Sequence, residues 1–158
     1  MVGIRDVFPP KPSFTEQNLG SQAGKVDHSP VILPARTIPT NSHQVFLITG
    51  ANSGVGFELA KLLYQKNGTV YIAARSESKV KAAIESIKHE FPSSTGRLAS
   101  VVVDLSDLRT IGPAARGFLA REARLDVLFH NAGVMLTSNG AKGAQGHELR
   151  MATNCLGP

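Results

Sequence analysis

From Val45 onward the chain alternates between short apolar runs and longer segments with apolar residues at helical spacing. No other feature restricts its fold as much. The runs are "VFLIT" (45–49), "TVYIAA" (69–74), "LASVVVDL" (98–105) and "LDVLFHNAG" (125–133), each brief enough to be a buried strand. Between them, Val55, Leu59, Leu62 and Leu63 share one helical stripe over 55–67, which ends at Asn67-Gly68, a usual helix stop. Val80, Ile84 and Ile87 form a second stripe that stops before Pro92. Leu108, Ile111, Ala115, Phe118 and Leu119 mark a third, with Asp107 near its start. Strands separated by helices are parallel neighbours, because a parallel pair needs a crossover and cannot be closed by a hairpin. The expected architecture is α/β, a parallel sheet with helices on both faces. After the fourth strand a Gly-rich loop is expected to about residue 146, then a last helix from near Gly146 to Pro158.

The first 44 residues stand outside this pattern. Six of the nine prolines lie there (9, 10, 12, 30, 34 and 39), and no period of 2 or 3.6 is sustained. Such a stretch reads as a flexible arm, leaving 45–158 as the folded unit. The net charge of +5 and pI near 9.7 invite a nucleic-acid reading. Against it, the 17 basic residues form no run, and two tyrosines with no tryptophan leave little for bases to stack on. No nucleic-acid partner is expected, and an anionic small ligand fits the charge equally well. The single Cys155 cannot pair internally, which suits a reducing compartment. Prolines interrupt "MVGIRDVFPPKPSF" where a signal peptide needs an apolar core, and no apolar run reaches membrane length. A cytoplasmic protein with no membrane span is expected.

Within "LITGANSGVG" (47–56), Gly50, Gly54 and Gly56 follow the first strand and open the first helix. Glycine at that density is unfavourable inside either element, so something there needs bare backbone. At a strand-to-helix turn inside a βαβ unit, free N–H groups and the positive helix end can face a pyrophosphate, which a side chain would keep away. Tight packing of strand on helix is the alternative use of the same glycines. The fold is thus narrowed to a Rossmann-type doubly wound parallel sheet. A P-loop would need Lys-Ser or Lys-Thr after the last glycine, where Phe57-Glu58 stand; a nucleophile elbow would need G-x-S-x-G, and Ser53 is out of frame.

The end of the second strand bears on which dinucleotide. A cofactor with a free ribose 2′-hydroxyl usually meets a carboxylate there, but this chain has Ala74-Arg75. A guanidinium can instead bind a 2′-phosphate in a two-pronged way, which favours NADP(H) over NAD(H). A methyltransferase, whose glycine-rich turn also follows a first strand, would want an acid at the same place.

"TGANSGVG" (49–56), "AAR" (73–75), "DLSD" (104–107), "NAG" (131–133) and "TNCLGP" (153–158) come in an order and at intervals that resemble the short-chain dehydrogenase/reductase family, especially its retinol-dehydrogenase-like members. The resemblance covers 45–158. It implies that Thr49 holds the turn, with Gly50, Asn52, Ser53, Gly54, Val55 and Gly56 around the phosphates. It implies that Arg75 selects the 2′-phosphate and that Asp104 and Leu105 line the adenine pocket; helix capping is the other use of Asp104. Asn131, Ala132 and Gly133 would stabilise the fourth strand and pass beside the cofactor. Asn154 matches the family's active-site asparagine, which positions a water in the proton relay. His130 departs from the asparagine often found before "NAG" and reads as a packing variant. No metal site is implied.

The family's acid/base group is a tyrosine with a lysine four residues later and a serine upstream. Here Tyr64 is followed at that spacing by Gly68 and Tyr71 by Arg75, so the chain reads as truncated before those residues. It is expected to bind cofactor without catalysing. The full-length form would move hydride between nicotinamide and an alcohol or carbonyl substrate, and would pair as a homodimer through the helix starting near Gly146. A non-catalytic binding module and a non-functional truncated product are the other readings. "GSQAGKV" (20–26) also resembles the lead-in that such proteins place directly before "VFLITG", yet residues 26–44 intervene. Their terminal valine and glutamine can be encoded with the GT and AG of intron ends, which makes a retained intron or gene-model artefact one reading and a genuine insertion the other. The family's sheet continues beyond the fourth strand, so the resemblance implies an incomplete Rossmann-type sheet, the first four strands and their helices, whose uncovered edge predicts a poorly soluble or partly unfolded isolated chain.

Overall fold

The computed structural model describes residues 44–158; the expectations for an N-terminal arm and for an insert at 26–44 fall, except for Gln44, outside the described residues. Four parallel strands, β1 (Val45–Thr49), β2 (Thr69–Ala74), β3 (Arg97–Val102) and β4 (Val127–Phe129), form one sheet in the order β3-β2-β1-β4. The chain steps outward from β1 to β2 to β3, then returns to the other side of β1. That reversal between β1 and β4 is where open α/β sheets form a crevice at the carboxyl ends of their strands.

Strand periodicity sorts side chains onto the two faces. Phe46, Ile48, Val70 and Ile72 pack against Ala60, Leu63 and Tyr64 of α1 (Gly54–Gln65) and Val80, Ala83, Ile84 and Ile87 of α2 (Glu77–Glu90). Their in-between neighbours Val45, Tyr71, Ala73 and Val101 face α3 (Leu108–Leu119), where Phe118 meets Tyr71 edge-on at 4.9 Å between ring centroids. Burying each large apolar side chain contributes about 1.5–3 kcal/mol. α1 ends as its sequence suggests: Asn67 takes the left-handed conformation (φ 65°), and the Gly68 N–H donates back to Leu63 O at 2.9 Å.

Three boundaries differ from expectation. β3 closes at Val102 and leaves the ladder before Asp104. β4 spans three residues instead of nine, because from Asn131 its backbone turns to the end of β1 rather than continuing the sheet. The last helix does not begin near Gly146: that glycine sits at φ 84° in a turn, and α4 (Leu149–Met151) starts after Glu148, whose carboxylate caps Met151 N–H at 2.9 Å. A single π-type turn, Ala152–Leu156, follows.

Candidate functional site

A cleft of about 570 Å³ opens at the carboxyl ends of the strands, a size suited to a small ligand. It is lined by the turn after β1, the end of β2, the turn after β3, the stretch after β4, and Leu149 and Thr153. Of the residues singled out above, Thr49, Gly50, Asn52, Ser53, Val55, Arg75, Asp104, Leu105, Asn131, Ala132 and Gly133 line it together; Gly54, Gly56 and Asn154 do not.

The three glycines answer to different constraints. Gly54 has φ 62°, and a β-carbon there would meet nothing within 4 Å, so its requirement is conformational. Gly50 also has positive φ (71°), and an added β-carbon would stand 2.9 Å from the Ala132 Cα. At Gly56 the added carbon would strike Asn131 Nδ2. At these two positions the body that approaches the bare backbone is the segment after β4, and not only an outside ligand.

That segment is tied to β1 by Thr49. Its hydroxyl donates to Phe129 O at 3.3 Å and accepts the N–H groups of Asn131 at 3.1 Å and Ala132 at 3.0 Å. The Asn131 side chain donates to Thr49 O at 3.0 Å. Thr49 is buried, so these bonds satisfy backbone groups that would otherwise cost about 1–3 kcal/mol each.

Helix ends divide in a telling way. Ser76 caps α2 by accepting Lys79 N–H, and Asp107 caps α3 by accepting Arg109 N–H at 3.1 Å. α1 has neither a side-chain bond from its N-cap Ser53 nor an acid in its first turn. Its leading N–H groups and positive dipole end stay available beside the cleft, the arrangement that binds anions.

Arg75 lines the cleft, and so does Lys79, which sequence reasoning missed. Lys79 lies in the first turn of α2, just past the end of β2, and a second cation so soon after Arg75 was the signal that could have found it. No ion pair holds either cation among the described residues. Lys61, Lys81, Lys88, Arg97, Arg109, Arg124 and Arg150 are all paired with carboxylates. Asp104 is the cleft's one carboxylate, and its Oδ1 accepts from Ser106 N–H at 2.9 Å and from the Ser106 hydroxyl at 2.7 Å. It closes the turn after β3, while helix capping falls to Asp107.

Asn154, on the π-type turn, spends its amide on one residue: Oδ1 accepts Val134 N–H at 2.8 Å and Nδ2 donates to Val134 O at 2.9 Å. It braces the segment beyond Gly133. His130 is exposed and lines an apolar groove, which shares Thr49, Ala73, Val103 and Leu105 with the cleft, instead of packing in the core. Among the described residues no group of three His, Cys, Asp or Glu is placed to hold a metal, and no helix is long and apolar enough to cross a membrane.

The family model described as short chain dehydrogenase matches residues 44–157. A short-chain dehydrogenase/reductase of Phomopsis amygdali is 46% identical over 151 residues, covering 96% of this chain and 40% of that protein. A solved protein from Mycobacterium paratuberculosis superposes with a TM-score of 0.64 at 29% identity, over 91% of this chain and 42% of that one. A metagenomic short-chain oxidoreductase solved in complex with NADP gives 0.59 at 32% identity, over 73% and 51%. The chain spans about two-fifths of the length of the curated relatives it matches.

Proposed function

This chain belongs to the short-chain dehydrogenase/reductase family, and on that premise we propose that residues 44–158 form the NADP(H)-binding part of an oxidoreductase acting on an alcohol or carbonyl compound. The observation that carries the choice of cofactor is the pair of unpaired cations, Arg75 and Lys79, in a cleft whose only carboxylate is already engaged. A guanidinium and an ammonium lining one cleft suit the dianionic 2′-phosphate that separates NADP(H) from NAD(H).

The residues present fit the cofactor elsewhere too. The uncapped start of α1, with Ser53, Gly54 and Val55, would hold the pyrophosphate through N–H groups. Asp104 and Leu105 would flank the adenine, and Asn131 to Gly133 would run beside the remaining half of the molecule. When bound, the nicotinamide supplies or accepts the hydride. Asn154, fixed by its two bonds to Val134, would present its part of the chain to the water of the proton relay.

Neither tyrosine has a lysine four residues on, so the 158-residue chain taken alone would hold the dinucleotide without turning it over. A non-catalytic binding module is therefore the second reading. The test of the cofactor assignment is a fluorescence titration of the purified chain with NADPH and with NADH. Binding of NADPH at least about tenfold tighter is expected, since an extra charge-assisted contact is worth some 1.5–3 kcal/mol. Equal affinities would remove the 2′-phosphate assignment, and no binding of either would remove the cradle.

A further inference from the structure

The loop after β4 is not the open Gly-rich connection its composition suggests. Over 141–149, "AKGAQGHEL", the Gly143 N–H donates to His147 O at 2.9 Å, Gly146 N–H to Gly143 O at 3.0 Å, and Leu149 N–H to Ala141 O at 2.9 Å. Lys142 and Glu148 bridge antiparallel, closing a small hairpin. No residue of 142–148 belongs to either apolar core cluster. Its hydrogen bonds to other parts of the fold go to one place, the turn between β3 and α3, and Gly143 also abuts the buried Ala152.

A β-carbon at Gly143 would lie 2.6 Å from Ser106 O, which shows how closely the hairpin is pressed on that turn. The Ala144 N–H donates to the same Ser106 oxygen at 3.0 Å. Gln145 makes two bonds: Oε1 accepts Leu108 N–H at 3.1 Å, and Nε2 donates to Asp107 Oδ1 at 2.7 Å. On the turn's other side, the Ser106 N–H and hydroxyl fix the Asp104 carboxylate in the cleft. The hairpin then leads directly into Leu149 and Thr153, which line the cleft themselves. Two portions of the cleft lining are thus joined through Ser106 and Gln145.

We propose that this hairpin is a clasp that fixes the adenine side of the cleft, and that Gln145 is a positioning residue for the adenosine end of the cofactor. The proposal rests on the reading of the cleft as a dinucleotide site. Gln145 touches no part of the cleft. It sets where Asp104 and Leu105 stand by holding the turn that carries them, so that the ligand need not order it on binding.

The experiment measures affinities of the purified chain for adenosine 2′,5′-bisphosphate and for adenosine 5′-monophosphate, by calorimetry, with the folded fraction checked by thermal unfolding. Gln145→Ala is expected to weaken the bisphosphate about tenfold, the scale of one lost charge-assisted bond. The ratio between the two nucleotides, which Arg75 and Lys79 set, is expected to stay unchanged. Gly143→Ala, which forces the hairpin off Ser106 and off Ala152 without touching the α3 cap, must show the same pattern. Wild-type affinity in both single variants overturns the clasp and leaves the cleft assignment standing. A variant that loses affinity and ratio together overturns the positioning role in favour of general loosening. Failure of the wild-type chain to bind the bisphosphate overturns both readings.

Discussion

Asn131 and Thr49 exchange two hydrogen bonds across the open end of the sheet: the Asn131 amide donates to Thr49 O at 3.0 Å, and the Asn131 N–H donates to Thr49 Oγ1 at 3.1 Å. β4 is too short to hold its own end by ladder bonds, and this exchange takes their place. It also fixes the wall on which Ala132 and Gly133 lie. Thr49→Val keeps the volume and β-branching but leaves the N–H groups of Asn131 and Ala132 without their acceptor. Unfolding in urea should show a loss of about 1–3 kcal/mol, and NADPH affinity should fall with it. A valine variant as stable as the parent would mean that water replaces the hydroxyl at no cost.

Gly54 and Gly56, both of the turn, should fail in different ways. Gly56→Ala drives a methyl group into the Asn131 amide and, through it, breaks the contact to Thr49. It should destabilise the chain by about 1–3 kcal/mol with or without ligand, as overpacking generally does. Gly54→Ala meets open space but places an L side chain at φ 62°, a strain of about 1–2 kcal/mol. Its methyl group would also stand where a pyrophosphate approaches, so its affinity loss should exceed that of Gly56→Ala. Urea melts and NADPH titrations of both variants check the ordering.

Charge at the end of β2 gives a cleaner separation. Arg75→Ser and Lys79→Ser remove cations that form no ion pair among the described residues, and both positions are exposed, so stability should change by no more than about 0.5 kcal/mol. Each should weaken NADPH by roughly tenfold while leaving NADH unaffected, and the double variant should bring the two affinities together. Parallel titrations decide it. A drop in NADH binding equal to that in NADPH binding would contradict the assignment.

How far these arguments were available from sequence follows the distance over which each cause acts. The alternation of strands and helices is local, and β1, α1, β2 and α2 fall close to where the apolar spacing of Ile48, Leu63, Ile72 and Ile87 puts them. The motif that opens α1 was legible, but the reason for Gly56 was not, because Asn131 lies 75 residues away in sequence. β4 was overextended because "LDVLFHNAG" is apolar enough to continue a strand, while the polar bonds of Thr49 divert it. The hairpin at 141–149 was missed for a similar reason: its glycines suggest freedom, and the groups that remove it, Ser106 and Asp107, belong to another turn.

Asp107 makes the clasp and the α3 cap depend on acid. The Arg109 guanidinium, and after it the Gln145 amide, hold its carboxyl far below the ordinary value of 3.8. A carboxylate that ionises more readily folded than unfolded adds stability that is complete above the unfolded value and drains away as pH falls below it. The stability difference between the wild type and Asp107→Asn should therefore be constant above about pH 5 and shrink below about pH 4. Urea unfolding at a series of pH values tests this. A difference that grows in acid would mean that Asp107 is not the group responsible.

The other face of the molecule sets the behaviour of the chain in solution. Leu119 at the end of α3, Leu125 in the connection that follows, and Val127 and Leu128 of β4 are exposed beside an apolar groove of about 270 Å³. β4 pairs only with β1, so its outer edge offers unpaired N–H and C=O groups next to those side chains. Exposed apolar area and an open strand edge both favour association, and together they form a template for another chain. The purified chain should therefore self-associate with rising concentration, as read by sedimentation or light scattering. Leu128→Lys puts a charge on that edge while leaving the Thr49–Asn131 contacts and the cleft intact. It should shift the chain towards monomer without changing NADPH affinity. If the parent chain is already monomeric at high concentration, the exposed edge is protected by some other means. If the lysine variant loses NADPH binding, the groove and the cleft are coupled through the residues that line both, Thr49, Ala73, Val103 and Leu105.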